Sequence, residues 1–334
     1  MASYLINMGF KIYPYDPGLF IHQTKPHLYL TSHVDDCKIA ASDDTDTQTY
    51  LGTQVEFADT GITIQQQNYA RELVSSFSLE DAHSVKTPLN PGFLIDDEPD
   101  HSLNLKEFQR GTSSLQYLAS KTRPDLAYAT NLLSHHNSKP TRKCWIGLMH
   151  LIKYLKGTTH LGLHYDRQEN GDFWPIGYSD SDWAGQNTDS RKSVGGYIFL
   201  MAGAPISWNS KKQSCTAASS NEAKYIAASE AAKEAWWIRE ILKQLGLHQP
   251  NQPDQPAPPI PIAMDNTGAI DLTSSIGTKR SKHIDIRFHI TRDFLAQGQI
   301  SIRQVASQEM AANGLTKVLN SVTFDSFRKL IAMA

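Results

Sequence analysis

Gly177-Tyr178-Ser179-Asp180-Ser181-Asp182-Trp183-Ala184-Gly185 and, further along, Ser219-Ser220-Asn221-Glu222-Ala223-Lys224-Tyr225 decide how this chain is read. The first stretch reads as a strand that presents a carboxylate at Asp180. The second carries Ser-x-x-Glu, the start signature of a helix: the serine hydroxyl takes a backbone N–H and the glutamate reaches back to another. Tyr225, Ile226, Ala232, Trp236, Ile238, Ile241 and Leu242 then repeat at helical spacing, and Gly246 closes a helix expected over about 220–245. Lys224 lies two residues past Glu222, a rotation of about 200° at ~3.6 residues per turn. The two side chains therefore leave the helix on different faces. Glu222 reads as a cap, with metal binding as the other reading, and Lys224 leaves from another face.

Working outward, strands are expected at 173–179, 195–201, 204–208, 260–264 and 300–305, with Asp265 ending the fourth. Helices are expected over 283–296 and from about Gln308. The order β-β-β-α-β-α-α-β-α gives a mixed sheet with helices packed on it, an α/β (α+β) fold. Upstream, residues 105–157 are helical in pattern, with Pro124 in the first turn of a new helix. The stretch 87–101 is rich in Pro, Asp and Gly and reads as a linker. Near the N-terminus, apolar strands at 28–30 and 38–41 flank His33-Val34-Asp35-Asp36, a β-hairpin with an acidic tip. Adjacent carboxylates repel, and a divalent cation relieves that repulsion and can orient a phosphate. Asp is also common in turns, so a solvated tip is the other reading.

A chain of 334 residues accommodates two or three domains. Its net charge of −2 argues against a protein that is basic throughout, so any nucleic-acid contact must come from local clusters. Two such clusters stand out: Lys211-Lys212 and Lys279-Arg280-Ser281-Lys282-His283. Cys37, Cys144 and Cys215 form no CxxC pair, which argues against a structural zinc site or a disulfide framework and fits a reducing compartment. No charged-then-apolar leader is visible and no apolar run approaches the ~18 residues that span a bilayer. A cytoplasmic or nuclear protein without membrane contact is expected.

Several of these stretches resemble one family in the family's own order. Tyr29-Leu30 through Val34-Asp35-Asp36 resembles the Tyr-Val-Asp-Asp hairpin of reverse transcriptase, with His33 in place of the tyrosine. The run Leu118-Ala119-Ser120-Lys121-Thr122-Arg123-Pro124-Asp125-Leu126-Ala127-Tyr128-Ala129 is similar to the connecting region of copia-type retrotransposon Pol proteins, as is Tyr154-Leu155-Lys156-Gly157-Thr158. The stretch 178–185, Ile206-Ser207-Trp208, Asp265-Asn266, Lys282-His283-Ile284-Asp285-Ile286-Arg287 and Gly314-Leu315-Thr316-Lys317 resemble the ribonuclease H domain of the same family.

The resemblance implies a layout: part of a reverse-transcriptase palm over 1–90, a linker at 91–104, a helical connection over 105–165, a ribonuclease H-like domain over 166–320 and a tail at 321–334. It implies that the chain starts inside the palm, without the strand bearing the first polymerase carboxylate. Asp35 and Asp36 alone then support no reverse transcription. It implies that Asp180 and Asp265 match the first and third ligands of a site binding Mg2+ or Mn2+. Lys224 and Asn313 stand at the second and fourth, so weak or absent metal binding is expected. The implied partners are an RNA–DNA hybrid or other nucleic acid, with Lys211, Lys212, Lys279, Arg280 and Lys282 as phosphate contacts, and other Pol- or Gag-derived proteins. Three readings follow: a ribonuclease H, a non-catalytic binding or scaffolding fragment, and a decaying copy whose ribonuclease-like part from about 172 folds better than residues 1–90. Trp183, Trp236 and Trp237 read as core.

Overall fold

Along Val194-Gly195-Gly196-Tyr197-Ile198-Phe199-Leu200-Met201 side chains alternate between two faces, and both sets are apolar. Such a strand must be covered on both sides, and the structure covers it. A computed structural model describes residues 5–6, 10–14, 16–23, 29–33, 36–40, 48–50, 52–95, 97–167, 174–183, 185, 192–247, 256–274 and 290–333, with backbone only at 17, 22, 29–33, 36–40 and 48–50. In chain order the strands are β1 (Phe10–Tyr13), β2 (Asp16–His22), β3 (Tyr29–His33), β4 (Asp36–Ala40), β5 (Gln48–Tyr50), β6 (Thr53–Ala58), β7 (Gly61–Gln65), β8 (Leu163–Asp166), β9 (Ile176–Asp182), β10 (Val194–Met201), β11 (Ala204–Lys212), β12 (Ile260–Met264) and β13 (Ile300–Gln304). The helices are α1 (Gln67–Ser76), α2 (Leu105–Lys121), α3 (Ala127–Ser134), α4 (Arg142–Gly157), α5 (Ser220–Gln244), α6 (Thr267–Ser274), α7 (Ile290–Ala296) and α8 (Ser321–Leu330).

The described strands form three sheets, ordered β1-β2-β3-β4, β5-β6-β7-β8 and β11-β10-β9-β12-β13. The expected acidic hairpin is present, β3 pairing with β4 as far as His33 opposite Asp36. The third sheet is mixed, β9-β10-β11 antiparallel and β12 parallel to both β9 and β13. This is the α/β arrangement that the element order implied. At the β10–β11 turn Ala202 and Gly203 both take positive φ, the twist-matched two-residue hairpin loop.

One face of the third sheet, through Phe199, Ile260, Ile262 and Ile300, packs on Ala231, Ala235 and Ile238 of α5. The other face, through Val194 and Ile198, joins the core formed by Leu115, Leu118, Leu133, Leu148 and Leu151 of the upstream helices. Trp208 Nε1 donates to Ala119 O at 2.7 Å across that boundary. The sheet and the upstream helices thus share one core. The 321–334 segment, expected as a tail, contains α8, and its Phe324 and Phe327 enter the same core.

The connecting-region motifs are explained by one buried network. Arg123, fully buried, donates from Nε and Nη2 to the two oxygens of Asp125 at 2.9 and 2.8 Å. It also donates to Thr158 O and Thr158 Oγ1, both at 2.7 Å, and Tyr154 donates its hydroxyl to Asp125 Oδ2 at 2.6 Å. A fork of planar donors facing a carboxylate suits arginine and not lysine. Among the described residues no helix is long and apolar enough to cross a membrane.

Candidate active site

Register brings the two carboxylates together. Asp180 lies in β9 opposite Gly196 of β10. In the parallel pair, Gly177 faces Ile262 and Tyr178 faces Ala263. Two residues further on, Asp265 at the end of β12 comes level with Asp180. Lys224, in the second turn of α5, reaches both: its Nζ lies 2.8 Å from Asp180 Oδ1 and 2.5 Å from Asp265 Oδ1. Both contacts are short ion pairs. The side chains of Asp180, Asp265 and Lys224 are 1 %, 10 % and 14 % exposed, so water screens the triad poorly.

The segment after β13 closes over the triad. Thr316 Oγ1 donates to Asp180 Oδ2 at 2.7 Å, and Lys317 Nζ lies 4.0 Å from the same oxygen. Ser307 Oγ donates to Asp265 Oδ2 at 2.9 Å. Asn313 joins indirectly, its Nδ2 donating to Ser307 O at 2.9 Å, while its buried Oδ1 has no hydrogen-bond partner among the described residues. Asn313 was expected at the start of the last helix; it instead opens a short 3-10 turn (Asn313–Leu315), and the last helix is α8. Gly196 makes the closure possible, because a Cβ there would lie 2.7 Å from Leu315 Cβ. Thr316, Lys317 and Ser307 received no role from sequence, although Gly314-Leu315-Thr316-Lys317 had been singled out as a motif.

The charges follow the geometry. Burial pushes the Asp180 carboxyl up, but the Lys224 and Lys317 charges and the bonds from Lys224 and Thr316 outweigh it and hold it below the usual carboxylate range. Burial likewise disfavours the Lys224 ammonium, and its two carboxylate partners more than reverse this, raising its pKa. Asp182 is pushed up, chiefly by burial, with Asp180 adding to the effect against Lys317 and Lys224.

The donor set does not fit a divalent metal. Among the described residues no group of three or more His, Cys, Asp or Glu could hold one. The positive charge between Asp180 and Asp265 is supplied by Lys224 itself. Glu222 adds no carboxylate to the triad: Ser219 Oγ accepts from Glu222 N at 3.2 Å, and Glu222 Oε2 accepts from Ala218 N at 2.8 Å. That is the expected cap, with the return bond made one residue before the cap position.

Of the other candidates, Asp36 begins β4 and Asp35 lies outside the described residues, as do Lys279, Arg280, Lys282 and His283. Lys211 and Lys212 end β11, away from the triad's contacts. Trp183 is not core: it is 48 % exposed, with Nε1 donating to Ala217 O at 3.0 Å. Trp237 is also exposed, whereas Trp236 stacks on Phe294. Pattern could not foresee this for Trp183, because it sits just past β9, where alternation no longer fixes a face.

No protein-family model matches the chain. The retrovirus-related Pol polyprotein from transposon TNT 1-94 of Nicotiana tabacum is 32 % identical over 298 residues, covering 86 % of this chain and 21 % of that protein. The retrovirus-related Pol polyprotein from transposon RE2 of Arabidopsis thaliana is 31 % identical over 359 residues, covering 100 % of this chain and 24 % of that protein. The chain thus spans less than a quarter of the length of each of these relatives. Among solved structures, a foamy viral protease-reverse transcriptase in complex with RNA/DNA hybrid aligns with 85 % of this chain and 32 % of that one, at 13 % identity and a TM-score of 0.43, too distant to carry an argument.

Proposed function

This chain belongs to the Pol polyproteins of copia-type retrotransposons, and from that premise we propose that it is a reverse transcriptase/ribonuclease H segment whose hybrid-cleaving centre is closed by its own lysine. In this reading 1–90 is part of a palm, 105–165 the connection and 166–320 the ribonuclease H-like domain. Asp180 and Asp265 hold two of the four ancestral ligand positions, and Lys224 and Asn313 occupy the others. The observation that carries the reading is the Lys224 ammonium in contact with both carboxylates.

Hydrolysis of a phosphodiester by this class of site uses convergent carboxylates to hold two divalent ions. Here one position has changed from negative to positive, and one has lost its charge. At ~4 Å and an effective dielectric of ~20, a unit pair interacts by about 4 kcal/mol before desolvation is subtracted. An entering Mg2+ must displace an ammonium that already neutralises both carboxylates. Cleavage is therefore absent or severely reduced, and the retained role is binding of nucleic acid, with Lys211 and Lys212 as phosphate contacts.

The test uses the full chain with a labelled RNA–DNA hybrid and Mg2+ or Mn2+, beside Asp180→Asn. The expected result is no cleavage by either, with salt-dependent hybrid binding by both. Cleavage that disappears in Asp180→Asn would show a working metal centre despite Lys224 and overturn the proposal.

A further inference from the structure

A groove of about 710 Å3 runs between α8, the end of α4 and the 84–86 loop. Gly157, the last residue of α4, lets the loop come this close, because a Cβ there would lie 2.8 Å from Ser84 Cβ. α8 forms the other wall. Phe324 and Phe327 anchor it in the core, while Val322, Asp325 and Lys329 line the groove. The volume falls within the roughly 300–1,000 Å3 of sites that enclose a ligand of several groups, and it exceeds what a single ion needs.

Three cations, Lys86, Arg328 and Lys329, line the groove against one carboxylate, Asp325, an excess of two positive charges on a chain whose net charge is −2. Asp325 is already engaged twice, by Arg328 Nη2 at 2.7 Å and by Lys329 Nζ at 3.3 Å. Lys86 is exposed and forms no ion pair with a described acidic residue. Beside these charges stands Val322, which at 75 % is the most exposed large hydrophobic side chain among the described residues.

A nucleic-acid strand suits this lining poorly. It would carry its phosphates past Asp325, and the one aromatic lining residue, Tyr154, is fully buried and offers no face to a base. A peptide can set its carboxylates on the cations and an aliphatic side chain on Val322. We propose that this groove docks a short acidic segment of a partner protein, one with an aliphatic residue among its carboxylates. The docking site stands apart from the triad and does not depend on the nucleic-acid reading above.

The probes are a fluorescein-labelled peptide Glu-Asp-Leu-Asp-Glu, its neutral counterpart Gln-Asn-Leu-Asn-Gln, and a labelled single-stranded oligonucleotide, each titrated into the full chain by fluorescence anisotropy. Lys86→Gln and Val322→Ser change exposed side chains, so both variants keep the fold; Lys106→Gln, exposed on α2 and outside the groove, is the charge control. The acidic peptide should bind and the neutral one should bind at least roughly tenfold more weakly, an affinity difference that falls as salt rises. Lys86→Gln should weaken the acidic peptide roughly fivefold, Val322→Ser by a similar factor of about five, and Lys106→Gln should leave it unchanged. Oligonucleotide affinity should not respond to Lys86→Gln or Val322→Ser. Failure of the acidic peptide to bind, or binding indifferent to both groove variants, overturns the proposal. Oligonucleotide binding that falls with Lys86→Gln makes the groove a phosphate site and overturns the peptide as its occupant. Sensitivity to Lys86→Gln without sensitivity to Val322→Ser leaves a patch that reads charge alone and likewise overturns it.

Discussion

Replacing Lys224 by methionine tests whether the ammonium is the counter-ion that holds the site together. Methionine keeps most of the stem and removes the charge. Asp180, 1 % exposed, then faces Asp265 with neither partner neutralised by Lys224. Removing one partner of a buried ion pair costs about 3–5 kcal/mol because the other charge is stranded. Lys317 at 4.0 Å and the Thr316 hydroxyl soften this, so the lower end, about 3 kcal/mol, is expected. Urea unfolding at neutral pH should show a lower midpoint with the same slope, the mark of a change in stability alone. The companion variant Lys224→Glu with Asn313→Asp places four carboxylates at the positions proposed as ligands. Without metal it should be no more stable than Lys224→Met. With Mg2+ at ~100 times its Kd it should gain about 2.7 kcal/mol by linkage, and, on the proposed function, Mg2+-dependent hybrid cleavage should appear. An unchanged midpoint for Lys224→Met would mean that Asp180 needs no counter-ion from α5. A folded double variant indifferent to Mg2+ would mean that these four positions do not make a metal site.

Other outcomes follow from the same structure. The Asp180–Lys224 pair makes stability depend on pH at both ends. The lowered Asp180 pKa gives a contribution present above its unfolded value of about 3.9 and lost as pH falls through its native value. The raised Lys224 pKa gives one present below about 10.4 and lost as pH rises through its native value. A Tm-against-pH profile of Lys224→Met should be flatter at both edges. Arg123→Met should cost about 3–5 kcal/mol, because it strands the buried Asp125, whereas Tyr154→Phe should cost about 1–3 kcal/mol; urea midpoints check both. Gly196→Ala should cost about 1–3 kcal/mol by pushing Leu315 and the Thr316 contact away from Asp180, again read by urea unfolding. Residues 166–334 expressed without the upstream helices should bind ANS and lack sharp near-UV dichroism, since Val194 and Ile198 lose their cover; a cooperative, ANS-silent fragment would show that the shared core is dispensable.

Much of the fold was legible because its signals are local. The apolar run of 195–201 marked a strand, and Ser219 with Glu222 marked where α5 begins. The order of elements gave the mixed sheet. The site was half legible: a strand carboxylate at Asp180, another at Asp265 and a lysine between them could be named from their motifs. Asn313 was expected at the start of the last helix, whereas the stretch from Ser307 forms 3-10 turns that deliver Leu315 and Thr316 to Gly196.

By itself the sequence determined which residues alternate, which cap and which carry charge, since those depend on neighbours within a few positions. Only the tertiary structure decided that the Lys224 ammonium meets both carboxylates, that Thr316 reaches Asp180 from 136 residues away, and that the sheet and the upstream helices share one core. Such contacts are set by strand register and by which faces pack together. A one-residue slip of β12 against β9 would leave every local signal unchanged and turn Asp265 away from Lys224.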